Sequence, residues 1–157
     1  DDNLNNKIDC EDPDCGDDPI CAATDACLPA GDLACDALQS GSLLANDSTD
    51  VLSAYPCDTF GSDYAGPERT WRITAPCDGT LDFLVADKGG DGVFDAFVLD
   101  GAVGCTAAAC LSAHYSGGNG DVSGTITATS GAVYYLVVDG WAGALHDVEV
   151  LLGCTCN

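Results

Sequence analysis

Basic residues are nearly absent: 4 Lys and Arg stand against 26 Asp and Glu in 157 residues, a formal charge of −22. That balance excludes nucleic acid as a partner, because phosphate binding needs a Lys/Arg surface. It also disfavours an anionic membrane surface. No apolar run reaches the roughly 18 residues of a membrane span, so no membrane insertion is expected. Glutamate is scarce too. Only Glu11, Glu68 and Glu149 accompany the Asp residues, and Asp suits turns, caps and ion sites rather than helix interiors. Only two His are present, and HExxH, GxSxG and GxxxxGK[ST] patterns are missing. A stand-alone enzyme is therefore not expected. With no Met and no leader-like stretch, the chain is expected to be a mature or excised product.

Cysteine, by contrast, is abundant, with 11 residues. There is no CxxC pair, so metal clusters do not explain the count. Disulfides in an oxidising compartment do, which places the protein outside the cell or on its surface. Connectivity is not deducible from spacing alone. Strand order suggests Cys35–Cys154, Cys57–Cys77 and Cys105–Cys110, with Cys10–Cys15 and Cys21–Cys27 as local staples. Cys156 is then left over, a candidate for an intermolecular bridge.

Two textures divide the chain. Residues 1–34 carry ten acids, one Lys and four Cys, without an aromatic residue. Such a segment needs cross-links or metal to hold a structure. Residues 35–157 alternate short β-rich runs with Gly/Asp/Ser/Pro clusters. The runs are 69–75, 80–85, 94–99, 122–129, 132–138 and 147–152, and their spacing predicts an all-β antiparallel sandwich. A hairpin is expected at Pro76–Gly79, and a brief helix is the alternative over Asp32–Gln39.

Oxygen-bearing side chains fall at Asp1, Asn3, Asn5, Asp9 and Asp12, with the Lys7 carbonyl at the seventh position of the same loop. A hard cation wants six to eight oxygens on a wrapped backbone, so Ca2+ is the expected cofactor. The segment resembles EF-hand loops, and more closely thrombospondin type 3 repeats, with Asn6 where the pattern has Gly. A second candidate metal set is Asp87, Asp91 and Asp95. For Asp95 the competing role is structural, capping a turn or pinning the preceding Gly-rich loop. Asn46-Asp47-Ser48 is a sequon, making Asn46 a candidate glycan site. Trp141 is expected to pack in the core or a turn, with a sugar-stacking platform as the alternative.

The stretch from about Cys35 to Cys154 resembles the bacterial pre-peptidase C-terminal domain. The residues that carry this are WRITAPCDGTLDF (71–83), FDAFVLDG (94–101), the Cys105…Cys110 loop and VYYLVVDGWAG (133–143). The resemblance implies a jelly-roll-like β-sandwich attached to secreted hydrolases and surface proteins, and usually non-catalytic. Some relatives bind calcium or polymeric substrates such as collagen. The expected role is a structural or adhesive module of a bacterial surface or extracellular assembly, such as a filament or tandem array. Its expected partners are copies of itself or a neighbouring extracellular protein. The alternative is a polysaccharide- or protein-binding accessory domain of a secreted hydrolase.

Overall fold

Period-two alternation gives each strand one apolar face, and eight strands bury those faces against one another. The computed structural model describes residues 29–43, 51–61, 64, 66–89, 93–116, 120–141 and 147–157. The strands are β1 (Leu38–Ser42), β2 (Glu68–Thr74), β3 (Gly79–Asp87), β4 (Phe94–Asp100), β5 (Cys110–Tyr115), β6 (Val122–Ala128), β7 (Val133–Gly140) and β8 (Asp147–Cys156). They form two four-stranded sheets, ordered β1-β8-β3-β6 and β2-β7-β4-β5. Every pair within the sheets is antiparallel. The expected all-β sandwich is the observed fold.

The core between the sheets is built from alternate residues. Trp71 and Ile73 come from β2, Leu81, Phe83 and Val85 from β3, Phe94, Ala96 and Val98 from β4, and Val148, Val150 and Leu152 from β8. A second apolar cluster lies on the other face of sheet β2-β7-β4-β5. There Phe97, Leu99, Tyr135 and Val137 meet Leu52, Tyr55 and Tyr64 from the segment leading into β2. Strand β4 is therefore buried on both faces, which is why FDAFVL reads as a run rather than an alternation.

Several expectations change. Pro76–Gly79 is not a hairpin: β2 pairs with β7, whereas β3 pairs with β6 and β8, so this turn carries the chain from one sheet to the other. Gly79 has φ +155°, and a side chain there would meet the Thr155 carbonyl. That close backbone approach is the reason for glycine. The helix considered over Asp32–Gln39 is absent. Asp32 bridges Arg72, Asp36 turns the chain with φ 57°, and β1 follows. The amides of Ala30 and Leu33 donate to the carbonyls of Thr70 and Arg72. Residues 30–33 thus run alongside β2. Strand β5 was not anticipated, because CLSAHY lacks a clean alternation.

Disulfides join the two levels of structure. Cys35–Cys154 is present as expected. Cys57 pairs with Cys110 rather than Cys77, which also removes the expected Cys105–Cys110 bridge. Cys105 is disulfide-bonded as well. Cys77 pairs with Cys156, so Cys156 is cross-linked within the chain and not left for a neighbour. The physical reason is register. Gly79 lies opposite Cys156 across the β3–β8 ladder, and Cys77 stands two residues before it. Cys10, Cys15, Cys21 and Cys27 lie outside the described residues.

Candidate functional site

Three acidic residues break the apolar pattern at the same level of three adjacent strands. Glu68 on β2 is opposite Asp139 on β7, and Asp139 is opposite Asp95 on β4. Directly opposed residues hold their Cβ atoms about 5 Å apart. Tyr115 on β5 continues the row beyond Asp95. Glu68 and Asp139 are fully buried, and Asp95 is 7% exposed.

Burying carboxylates is costly unless hydrogen bonds replace water. The segment preceding β2 supplies them. The Tyr55 hydroxyl donates to Asp139 Oδ2 at 2.7 Å. The Tyr64 hydroxyl donates to Asp95 Oδ2 at 2.9 Å. The Val51 amide donates to both Glu68 oxygens, at 3.0 and 3.2 Å. The Ser116 amide completes Asp95 at Oδ1, 3.2 Å away. Tyr55 stacks on Phe97 with ring centroids 3.6 Å apart, and Tyr64 meets both rings edge-on.

The electrostatics follow. Burial raises the Asp95 carboxyl above its ordinary range, against the lowering effect of the Ser116 and Tyr64 hydrogen bonds. Burial, then the Asp139 charge, raises the Tyr55 phenol far above its ordinary range. Tyr55 is thus a permanent hydrogen-bond donor rather than an acid–base group. The arrangement fastens Val51, Tyr55 and Tyr64 onto the sheet.

A second polar constellation sits at the opposite side of the same sheet. Ser112 Oγ lies 2.9 Å from His114 Nε2, and the imidazole also hydrogen-bonds the Ser123 backbone. Phe83 meets the imidazole edge-on at 5.0 Å. Burial lowers the His114 pKa below its ordinary value. A Cβ on Gly124 would lie 2.5 Å from His114 Nδ1 and from Phe83 Cζ, so glycine leaves room for the ring between β5 and β6. His114 closes the seam between the two sheets.

The expected calcium ligands Asp1, Asn3, Asn5, Lys7, Asp9 and Asp12 lie outside the described residues, as do Asp91, Asn46 and His146. Asp87 and Asp95 belong to different sheets. Asp87 Oδ1 accepts from the Gly89 amide at 2.8 Å, and its own amide donates to Asp121. Asp95 turns to the other side, toward Tyr64. Its hydrogen bonds hold Tyr64 and Ser116 in place. Among the described residues, no three His, Cys, Asp or Glu side chains are placed to hold a metal ion. Trp141 does not pack in the core: it is 44% exposed, with its amide donating to the Val93 carbonyl.

Glu68, Asp139, Tyr55 and Tyr64 were not singled out from sequence. The available signal was an acid at the same end of three apolar strands. Recognising it required the strand order.

No family model and no curated protein sequence matches this chain. Solved structures do resemble it. The pre-peptidase C-terminal domain of collagenase from Bacillus anthracis superposes with a TM-score of 0.54 at 13% identity, covering 80% of this chain and 97% of that one. CorA of Methylomicrobium album BG8, described as a surface-associated copper-binding protein, superposes with a TM-score of 0.50 at 9% identity, covering 81% and 98%. At these identities the likeness is one of fold, a β-sandwich of the pre-peptidase C-terminal type. The disulfides, together with neighbours of this kind, point to an extracellular location.

Proposed function

We propose that the chain is a non-catalytic structural module of a bacterial surface or extracellular assembly, stabilised by disulfides and by calcium at the Asp1–Asp12 loop. The observation that carries this reading is the use made of its most chemically endowed cluster. Asp95 and Asp139 accept hydrogen bonds from buried tyrosines, and Glu68 accepts from a backbone amide. These carboxylates hold a loop in place instead of lining an open cleft. Calcium would act upstream, neutralising the Asp-rich segment and ordering it against the sandwich.

Thermal melting with and without a chelator tests the calcium component. A midpoint that falls on chelation and recovers with added Ca2+ supports it, and an unchanged midpoint removes it. Electron microscopy under native, calcium-containing conditions tests the assembly component. Dispersed monomers at all concentrations would count against a filament or array.

The second reading is an accessory binding domain of a secreted hydrolase. The exposed Trp141 and Phe60 side chains favour it, and a neighbour in fold is a domain of a collagenase. Co-sedimentation with insoluble polysaccharides, compared with a Trp141→Ala variant, separates it from the first.

A further inference from the structure

We propose that the outer edge of β5, with Phe60 packed on its last residue, is a docking strip for an extended lysine- or arginine-bearing segment of a neighbouring protein. The segment would join sheet β2-β7-β4-β5 as an added strand. This goes beyond the proposed structural role by naming a surface and the chemistry of its partner, and it does not depend on calcium or self-assembly.

The two edges of this sheet are treated differently. At β2, residues 30–33 run alongside and take its backbone hydrogen bonds: Ala30 N to Thr70 O, Leu33 N to Arg72 O, and Arg72 N to Gly31 O. At β5, pairing is with β4 alone, and no described residue forms a strand on the other side. Exposed edges are normally blunted by charge, proline or a β-bulge, and β5 has only the bulge, where Leu111 stands unpaired between Cys110 opposite Leu99 and Ser112 opposite Val98. The β5 sequence CLSAHY has no Asp, Glu, Lys, Arg or Pro, in a chain otherwise dense in acids. Strand β6 is also an uncharged edge, but its exposed side chains are Ser123, Thr125 and Thr127. Strand β5 instead exposes Leu111, at 52%.

Phe60 adds an anchor. It is 74% exposed, so the core does not need it. Yet it is held firmly. Its amide donates to Asp58 Oδ1 at 2.8 Å, and its ring meets Tyr115 edge-to-face at 4.7 Å. The Tyr115 hydroxyl donates to the same Asp58 oxygen at 2.8 Å, and Cys57–Cys110 ties the segment to the start of β5. A rigid exposed aromatic costs little entropy to bind, which is the usual make-up of an interface hot spot.

Charge selects the occupant. A formal net charge of −22 steers a cationic partner toward the chain. Lysine or arginine side chains on the added strand would meet the Phe60 ring. Main-chain pairing with alternating side-chain contacts is an established mode of peptide recognition.

The probe is a capped peptide alternating lysine and valine, tested against the full chain by fluorescence anisotropy, with amide hydrogen exchange read at Leu111–Tyr115. A glutamate–valine peptide and a lysine–proline peptide of matched charge are the controls. The expected result is binding at least about tenfold tighter than either control, with new protection at β5. Phe60→Ala weakens it by about tenfold or more without moving the melting midpoint. Leu111→Lys weakens it as well. Equal binding of the lysine–proline peptide, protection confined to β1 or β6, or an unaffected Phe60→Ala variant would each overturn the proposal. So would Phe60-dependent binding of a polysaccharide with none of the peptide.

Discussion

The hydroxyl of Tyr55 and the carboxylate of Asp139 meet at 2.7 Å, both buried, although 84 residues separate them in the chain. One comes from an irregular segment and the other from the next-to-last position of an apolar strand. Their pairing stitches that segment to the sheet, and the Tyr64–Asp95 bond repeats the device on the neighbouring strand.

Removing one hydroxyl leaves a buried carboxylate short of a donor. Tyr55→Phe is expected to lower unfolding free energy by about 2 kcal/mol, the scale of a hydrogen bond to a charged group. Urea denaturation measures it. Tyr64→Phe should act in the same direction. If both variants match the parent, the tyrosines are held by ring packing alone.

The seam between β5 and β6 predicts a different pattern. Gly124→Ala pushes a methyl group into His114 and Phe83 and should cost about 1–3 kcal/mol, the usual range for overpacking. Adding His114→Ala relieves the contact, so the double variant should be more stable than the sum of the two single changes. Strict additivity would show that the seam simply widens.

Acid titration should register His114. Its folded pKa lies below the ordinary 6.5, so the unfolded chain takes up the proton more readily. The stability it contributes is present above the unfolded value and is lost as pH falls through the folded one. Asp95 works in the opposite sense, since its raised pKa favours the folded state as the carboxyl protonates. The melting midpoint of the parent is expected to drop between about pH 7 and pH 5, and the drop should be smaller in His114→Gln. Parallel profiles would remove His114 from the account.

The Cys77–Cys156 bridge closes a span of 79 residues. Replacing both with Ser should lower stability by about 4 kcal/mol if the loss follows chain entropy. Guanidinium unfolding measures this. On a non-reducing gel the parent should show no dimer that depends on Cys156, because this thiol is bridged internally.

Much of this molecule was legible from the chain. Alternation over 69–75, 80–85 and 147–152, with Gly/Asp clusters between, is a local signal, because a strand's two faces differ every second residue. The cysteine count pointed to the extracellular setting that the disulfides support. What escaped was whatever depends on which strands become neighbours. Pro76–Gly79 looks like a hairpin because a turn residue cluster is local, while the choice to cross between sheets is not. Cys57 found Cys110 and Cys77 found Cys156 through the placement of elements far apart in sequence. Glu68, Asp95 and Asp139 were three isolated acids until the order β2-β7-β4 set them side by side. Residue pattern alone located six of the eight strands and pointed to an oxidising setting, since these rest on period and composition. Only the tertiary structure decided the partners of Cys57 and Cys77, the carboxylate row and the place of β5 at a sheet edge, since each depends on which distant segments become neighbours.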